Sequence, residues 1–244
     1  MPRFASVSRS LKDDGSIVTE ADLITQERIQ SDLAQLHPDY DFLGEEMSAE
    51  QQQQMLMSDR PAWCLDPLDG TSNFAAGISY FCVSLSLIEN GRVKLGVVYD
   101  PMRDELFVAD NNGATLNGEP LCLPQNSVPM KQAIALIDLK RLAKPLQYRL
   151  IDHAPYASQR SFGSVALDWC WLAAGRVHLY LHGRSNIWDY AAGNYIFSQA
   201  GGHSCTLDGE EIFIAKMQAR SNVGAATAEL YTQWQEFLQI PARA

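Results

Sequence analysis

The sequence lacks the patterns of a disulfide-rich, zinc-binding or membrane-spanning protein. Its five cysteines are scattered and odd in number, and no two form a C-x-x-C pair, so neither a disulfide framework nor a zinc site is indicated. No apolar run is long enough to cross a bilayer, and the N-terminal residues include no hydrophobic stretch typical of a signal peptide. We therefore expect a reducing, cytoplasmic location and no membrane partner.

Basic residues are also in the minority. The 19 lysines and arginines are outnumbered by 29 aspartates and glutamates, which gives a net charge of −10. This balance argues against a nucleic-acid backbone as the main partner. A small anionic substrate would need bound cations to reverse the local potential. Low-complexity tracts, repeats and a phosphate-binding G-x-x-x-x-G-K-[ST] loop are missing as well.

A chain of 244 residues, of which 46% are hydrophobic, can bury a substantial core in one large domain or two small ones. The segment 121–130 contains Pro124 and Pro129 and is the best candidate for a boundary. We expect an N-terminal α+β subdomain over residues 1–127 and a C-terminal α/β subdomain over residues 128–244.

The first half of the chain reads as an antiparallel meander. Residues 81–88 and 92–99 alternate between apolar and polar side chains and flank Asn90-Gly91, which is a strong hairpin signal. Residues 104–109 add a third strand. In the second half strands alternate with helices, which favours a mixed sheet covered by helices. The predicted elements there are strands over 133–137 and 177–181 and helices over 164–175, 187–200 and 227–238.

The N-terminal part predicts a polar, irregular arm over residues 1–18, followed by a helix. Apolar residues at roughly helical spacing begin at Leu23, and Thr19 with Asp22 resembles a capping box. The helix is expected to end before Pro38. Two interpretations of Thr19 and Asp22 are open. They either only cap the helix or also have a further function.

An apolar run over residues 62–65 leads directly into two aspartates three positions apart, Asp66 and Asp69. Pro67 cannot donate to a strand ladder, so the strand is expected to stop there. Gly70 permits the backbone to approach a bound group closely. Two carboxylates at the end of a strand form an oxygen-rich pocket suited to a hard divalent cation. A plain surface turn is the alternative.

Two other acidic positions are ambiguous on their own. The adjacent Glu45 and Glu46 are most simply a solvated turn, and Asp189 suits the first turn of a helix through the helix dipole. Together with the aspartate pair, however, they belong to a set of four segments. These segments are Val18-Thr19-Glu20-Ala21-Asp22, Gly44-Glu45-Glu46, Asp66-Pro67-Leu68-Asp69-Gly70-Thr71-Ser72-Asn73-Phe74 and Trp188-Asp189-Tyr190-Ala191-Ala192-Gly193.

In this order and spacing, the chain resembles the inositol monophosphatase family of magnesium-dependent, lithium-sensitive phosphatases. The resemblance implies a layered αβαβα sandwich of the sugar-phosphatase type, usually paired as a homodimer. It implies two or three Mg²⁺ ions held by Glu45, Asp66, the carbonyl of Leu68, Asp69 and Asp189. The implied catalytic residues are Asp22, Thr71 and Glu45. The implied contacts to a small anionic phosphate substrate are Glu45, Leu68, Asp69, Gly70, Thr71, Gly163, Ser164, Val165, His182 and Asp189.

His182 is a departure from the family. Inositol-selective members often carry a glutamate at this position, seven residues before Asp189, and a histidine cannot offer a carboxylate to a pair of sugar hydroxyls. Selectivity for inositol therefore does not follow from the resemblance. From the sequence, His182 is equally well interpreted as a surface residue or as a substrate contact.

The leading functional hypothesis is a Mg²⁺-dependent phosphomonoesterase that uses an activated water, with inositol-1-phosphate as the first candidate substrate. Related alternatives are 3′-phosphoadenosine 5′-phosphate, fructose-1,6-bisphosphate and histidinol phosphate. A second hypothesis is a regulatory binding protein on the same fold. A structural Ca²⁺ site is a third, but no contiguous D-x-D-x-D-G loop supports it.

Overall fold

The computed structural model describes residues 9–11, 17–56, 58–124 and 126–241. Two short strands, β1 (Arg9–Leu11) and β2 (Ile17–Thr19), pair antiparallel ahead of the first helix. The prediction of an irregular arm over residues 1–18 is therefore wrong for these two strands. The remainder of that arm lies outside the described residues.

A seven-stranded sheet, the first sheet, forms most of the N-terminal half. Its strands lie in sequence order from β3 to β9. The strands β4 to β9 pair antiparallel as the predicted meander, and β3 adds to β4 in parallel at one edge. Their bounds are β3 Asp41–Gly44, β4 Ala62–Asp69, β5 Cys82–Glu89, β6 Arg92–Asp100, β7 Glu105–Asp110, β8 Gly113–Leu116 and β9 Glu119–Leu121.

A five-stranded mixed sheet, the second sheet, forms the C-terminal half. Its order is β11-β10-β12-β14-β13, with β10 parallel to both of its neighbours and β14 antiparallel to β12 and β13. The bounds are β10 Ile134–Asp138, β11 Ser158–Arg160, β12 Leu179–Ser185, β13 His203–Cys205 and β14 Arg220–Ala225. The strand predicted over 177–181 starts two residues later and runs on to Ser185.

Within the described residues there are seven α-helices, and they lie in layers around the two sheets. Their bounds are α1 Glu20–Leu36, α2 Ala49–Leu56, α3 Thr71–Ala76, α4 Lys144–Asp152, α5 Val165–Ala173, α6 Ile187–Gln199 and α7 Ala228–Leu238. The pair α5 and α6 packs on the first sheet and also on β12 and β13 of the second sheet. Helices α1 and α2 pack on β4 and β3, while α4 and α7 pack on the second sheet. The layered α/β fold is confirmed.

Two hydrophobic cores follow from this layering. One joins the first sheet to α5 and α6, and the other lies between the second sheet and helices α4 and α7. None of the described helices is both long and apolar enough to cross a membrane. The proposed subdomain boundary near residue 127 falls between the two sheets and stays a prediction.

Candidate metal centre and active site

The two aspartates of β4 lie on either side of a break in the strand ladder. Asp66 pairs with Ser84 of β5, and Asp69 pairs with Cys82, so β4 uses one residue more than its partner between these points. The prediction that the strand stops at Pro67 is wrong, because the strand continues to Asp69. The irregular pairing means that the proline need not donate a ladder hydrogen bond. Asp66 is buried, with 2% of its surface exposed.

Glu45 lies beside Asp66 because β3 and β4 run parallel. Gly44 is the register partner of Leu65, and the amide of Glu45 donates to the carbonyl of Leu65 at 3.1 Å. The side chain of Gln52 donates to the carbonyl of Glu45 at 3.0 Å and holds this turn. Glu45 thus lies in a turn directly after β3, as one interpretation has it, but it is half-buried and its backbone is held by these bonds.

Asp189 reaches the same region from the second half of the chain. The Asp189 carboxylate accepts a hydrogen bond from the Asn186 amide at 2.7 Å, which fixes it in the first turn of α6. The hydroxyl of Ser84 donates to the carbonyl of Trp188 at 3.2 Å. Because Ser84 is the register partner of Asp66, this bond brings the start of α6 against β4.

These four acids influence one another electrostatically. Burial raises the pKa of Asp66 well above its ordinary value, and the charges of the three other acids raise it further. Burial also raises the pKa of Asp69 to about 6, although hydrogen bonds from the start of α5 oppose the shift. The pKa of Asp189 is raised by burial and then by the charges of Asp69 and Glu45. Such mutual repulsion in poorly solvated surroundings is relieved by a bound cation.

The donor set fits magnesium in its chemistry. Four carboxylates and the Leu68 carbonyl are hard oxygen ligands of the kind that Mg²⁺ prefers. Within the described residues, Asp66, Asp69 and Asp189 form no ion pair with a lysine or arginine. In the same part of the chain, no group of three Asp, Glu, His or Cys side chains is already arranged to hold a metal ion. The carboxylates share one region without being closed around an ion.

The hydroxyl of Thr71 lies next to this region. It is 3.0 Å from Oδ1 of Asp22 and 2.9 Å from the carbonyl of Leu68, so its single proton can go to either acceptor. Asp22 is fully buried, and its other oxygen accepts bonds from the amide and hydroxyl of Thr19 at 2.8 and 2.6 Å. One carboxylate therefore caps α1 with Oδ2 and contacts Thr71 with Oδ1, so both interpretations of Asp22 apply to the same side chain.

The predicted substrate segment Gly163-Ser164-Val165 touches the acidic region through Asp69. The hydroxyl of Ser164 and the amide of Ala166 donate to Oδ2 of Asp69 at 2.7 and 2.6 Å. Ser164 also caps α5. These bonds bridge from β4 to the start of a helix about a hundred residues later. The position of Asp69 therefore depends on the packing between the two halves of the chain.

His182 is held away from solvent by two contacts. Its Nε2 atom lies 3.1 Å from a carboxylate oxygen of Asp138, and its Nδ1 atom accepts from the Arg184 amide at 3.3 Å. Only 8% of His182 is exposed, so the interpretation as a surface residue is wrong. Contact between His182 and a substrate stays a prediction.

Sequence reasoning missed three residues that support the site. The amide group of Asn73 donates to the carbonyls of Tyr80 and Phe162 at 2.8 and 2.6 Å, which ties α3 to the predicted substrate segment. The hydroxyl of Tyr80 donates to Asp168, a buried acid in α5, at 2.9 Å. Asp168 is the only charged residue in its apolar helix, a signal that could have identified it.

A cavity of about 1000 Å³ lies elsewhere, between the β5–β6 turn, α6, β13 and α7. It is lined by residues such as Arg92, Asn194 and Tyr231, and by none of the acidic residues described above. This cavity therefore does not coincide with the acidic region. The acidic region is the candidate site because its carboxylates and the Asp22–Thr71 contact offer metal ligands and a proton acceptor.

Comparisons with known proteins agree with the resemblance seen in the sequence. The sequence model of the inositol monophosphatase family matches residues 3–239. Inositol monophosphatase 1 of Solanum lycopersicum is 36% identical over 236 residues, which cover 94% of this chain and 85% of the relative. The fructose-1,6-bisphosphatase/inositol-1-monophosphatase of Thermotoga maritima is 34% identical over 80% of this chain and 73% of its own. The crystal structure of extragenic suppressor protein suhB from Bartonella henselae superposes with a TM-score of 0.82 at 28% identity, covering 97% and 90% of the two chains.

Proposed function

The chain belongs to the inositol monophosphatase family of phosphatases, and from that premise we propose that it is a Mg²⁺-dependent phosphomonoester hydrolase for small polyol or sugar phosphates. Inositol-1-phosphate is the first candidate substrate. The observation that carries the proposal is the 3.0 Å contact between Thr71 and Asp22 beside four mutually repelling acids. That combination offers a proton-transfer pair next to a cation site.

Glu45, Asp66, the Leu68 carbonyl, Asp69 and Asp189 would hold two or three magnesium ions. Magnesium held by these residues would supply positive charge to neutralise the phosphate, acidify water and stabilise the leaving alkoxide. In phosphoryl transfer a protein contributes chiefly by positioning the reacting groups and by stabilising charge. In this chain the residues named above would position the metal ions.

The Asp22–Thr71 pair would deprotonate the attacking water. With the Thr71 hydroxyl donating to Oδ1 of Asp22, its lone pair is available to accept a proton from water. As that proton arrives, the original hydroxyl proton passes to Asp22, and the water oxygen forms a bond to phosphorus. The ester P–O bond breaks in line on the opposite side, and the departing alkoxide takes a proton from solvent.

Gly70 and Thr71 would bind the phosphate through their backbone amides. Gly70 has φ of +95°, a left-handed conformation that disfavours other residues. A Cβ atom there would lie 2.9 Å from the carbonyl oxygen of Tyr80, so the turn also requires glycine for space. Gly163, Ser164, Val165 and His182 would border the alcohol portion of the substrate.

Phosphate release with purified protein tests the proposal. We expect Mg²⁺-dependent release from at least one of four substrates: inositol-1-phosphate, 3′-phosphoadenosine 5′-phosphate, fructose-1,6-bisphosphate and histidinol phosphate. Chelation with EDTA should abolish the release and added Mg²⁺ should restore it. Equal inactivity on the whole panel, with and without magnesium, would contradict the proposal. A cytoplasmic location and a homodimer are part of the same proposal, and fractionation and light scattering test them.

A further inference from the structure

Three basic residues lie at one edge of the second sheet, next to the acidic region. Strands β10 and β12 are parallel, and Asp138 is the register partner of His182. The residues that follow these partners therefore leave the sheet at the same edge. Lys140 and Arg141 follow β10, and Arg184 lies at the irregular end of β12, five residues before Asp189. We call Lys140, Arg141 and Arg184 the basic rim; all three are exposed.

Contacts beneath the basic rim hold the two segments together. His182 and Asp138 are 3.1 Å apart, and Asp138 accepts a hydrogen bond from the Lys140 amide at 2.9 Å. The backbone of Arg141 packs so closely on Gly183 that an added Cβ would overlap the Arg141 carbonyl oxygen. Buried side chains and backbone contacts thus hold the backbone of the basic rim in place. The positions from which its side chains extend are therefore preorganised.

The side chains of the basic rim lie outside ion-pair distance of the acids that the structure describes. None of the three residues forms an ion pair with an acid in the described ranges. Arg141 is placed by the close contact of its backbone with Gly183, which lies six residues before Asp189 in the sequence. Three unpaired cations beside an acidic centre are unexpected in a chain of net charge −10.

Resting on the proposed function, we propose that the basic rim, with Arg141 as its main contact, binds a second anionic group of the substrate. The scissile phosphate would go to the magnesium ions, and the rim would hold a second phosphate on the same molecule. A neutral polyol gives these cations nothing to bind, whereas a bisphosphate pairs with them and gains affinity. The site then favours sugar or polyol bisphosphates over neutral polyol monophosphates.

A matched pair of substrates tests this inference. Fructose-1,6-bisphosphate and fructose-1-phosphate differ by the second phosphate alone. We expect kcat/KM with Mg²⁺ to be about tenfold higher for the bisphosphate, the size of one charge-assisted hydrogen bond. Arg141→Gln should remove about tenfold of that preference, mainly through KM for the bisphosphate. Arg141→Lys should retain part of the preference, because the charge remains.

Lys131→Gln is the control, since Lys131 is exposed on the 3₁₀ turn before β10, at the opposite end of that strand. It removes the same charge and should leave the substrate preference unchanged. Hydrolysis of both substrates without preference, or equal losses on both in Arg141→Gln, would overturn the inference and leave the hydrolase proposal standing. Inactivity of the unmodified protein on the full substrate panel would instead overturn the hydrolase proposal and this inference with it.

Discussion

The two carboxylate oxygens of Asp22 have different hydrogen-bond partners. Its Oδ2 atom accepts hydrogen bonds from the amide and the hydroxyl of Thr19, the N-cap residue of α1, while its Oδ1 atom lies 3.0 Å from the Thr71 hydroxyl. The capping bonds restrict how far the carboxylate can rotate. The orientation that presents Oδ1 to Thr71 is therefore enforced by the start of a helix.

Thr71→Val tests the role of this contact, because valine keeps the shape of threonine without its hydroxyl. We expect kcat to fall roughly a hundredfold or more, the usual contribution of a positioned proton acceptor. KM should change little if the backbone amides bind the phosphate. Thr71→Ser, which restores a hydroxyl, should recover a large part of the rate. Equal activity of the Val and Ser variants would contradict the proton-transfer role.

Asp168 gives a prediction about pH. Burial raises its pKa well above the ordinary value, although the hydrogen bond from Tyr80 opposes the shift. The folded protein therefore holds this proton more tightly than the unfolded chain. The contribution to stability is complete below the ordinary carboxyl pKa of about 3.9 and is lost as pH rises towards the folded pKa.

Asp168→Asn removes that ionisation and keeps an acceptor for Tyr80. Its free energy of unfolding, relative to the parent, should improve progressively as the pH rises above about 4. The expected gain is on the order of 1 kcal/mol for each unit by which the folded pKa is raised. Urea unfolding without metal measures it. A difference between the two proteins that is constant with pH would count against the buried-acid interpretation.

For single residues, the sequence allows a prediction of which side chains cluster in the candidate site. It does not allow a prediction of which hydrogen bonds keep them in place. Asp66, Asp69 and Thr71 come from one contiguous motif. The bonds from Ser164 and Ala166 to Asp69 depend on packing between segments about a hundred residues apart, which no local pattern encodes. The environment of His182 was unpredictable for the same reason, since Asp138 lies on a neighbouring strand.

Helices α5 and α6 are the elements that assemble the candidate site. The start of α5 binds Asp69, and the first turn of α6 carries Asp189. The two helices approach closely at Gly193, where an added Cβ would lie 2.8 Å from the Cβ of Trp169 and 2.9 Å from the carbonyl of Ala166. The distance between these helices therefore sets where both carboxylates lie.

Gly193→Ala should destabilise the protein even though alanine is the better helix former. The propensity gain is about 1 kcal/mol, whereas overpacking a rigid contact costs about 1–3 kcal/mol. We expect a net loss on the order of 1 kcal/mol in urea unfolding, together with lower kcat. Ser198→Ala, at an exposed position in the same helix, should change stability by less than about 0.5 kcal/mol. A stabilised Gly193→Ala variant would contradict the close approach.

Element types were predictable where local chemistry decides them. The Asn90-Gly91 hairpin, the end of α1 before Pro38 and the Thr227 cap of α7 follow from turn and cap residues. The face of α1 did not follow from its apolar spacing. Leu23 and Ile24 are 53% and 57% exposed, while Asp22 and Gln26 are buried. The bulge in β4 also escaped prediction, because a bulge depends on the partner strand.

For the whole molecule, the concentration of negative charge couples stability to cations. The net charge is −10, and in the candidate site the charges of neighbouring acids raise the pKa values of Asp66 and Asp189. Without a cation, these carboxylates either retain some of their protons or, when ionised, repel one another. A cation that binds the folded state alone should therefore stabilise the entire fold.

Mg²⁺ should raise the melting temperature. At a concentration a hundred times its dissociation constant, the stabilisation is about 2.7 kcal/mol. For a chain of this size that corresponds to roughly 5–10 °C. Asp66→Asn should melt higher than the parent in EDTA, since a repelled buried acid is gone, and should lose most of the Mg²⁺ response. Thermal scans at constant ionic strength measure both effects, and an undiminished response in the variant would contradict the site.

The layered architecture was predictable as a whole because four short motifs carry the family resemblance. The substrate was not, because the residues around the predicted substrate position come together only through the fold. The resemblance gives a histidine, His182 of β12, in place of an expected glutamate, and the arrangement of the basic rim depends on sheet register. Family motifs thus specify the reaction centre, and the surroundings of the substrate need coordinates.

Helix α6 packs on the first sheet along one side and on α5 and β13 along the other. A hinge between the halves would have to tear this shared helix from one of its neighbours, at the cost of buried apolar contacts. We therefore expect the two halves to keep their relative position during turnover.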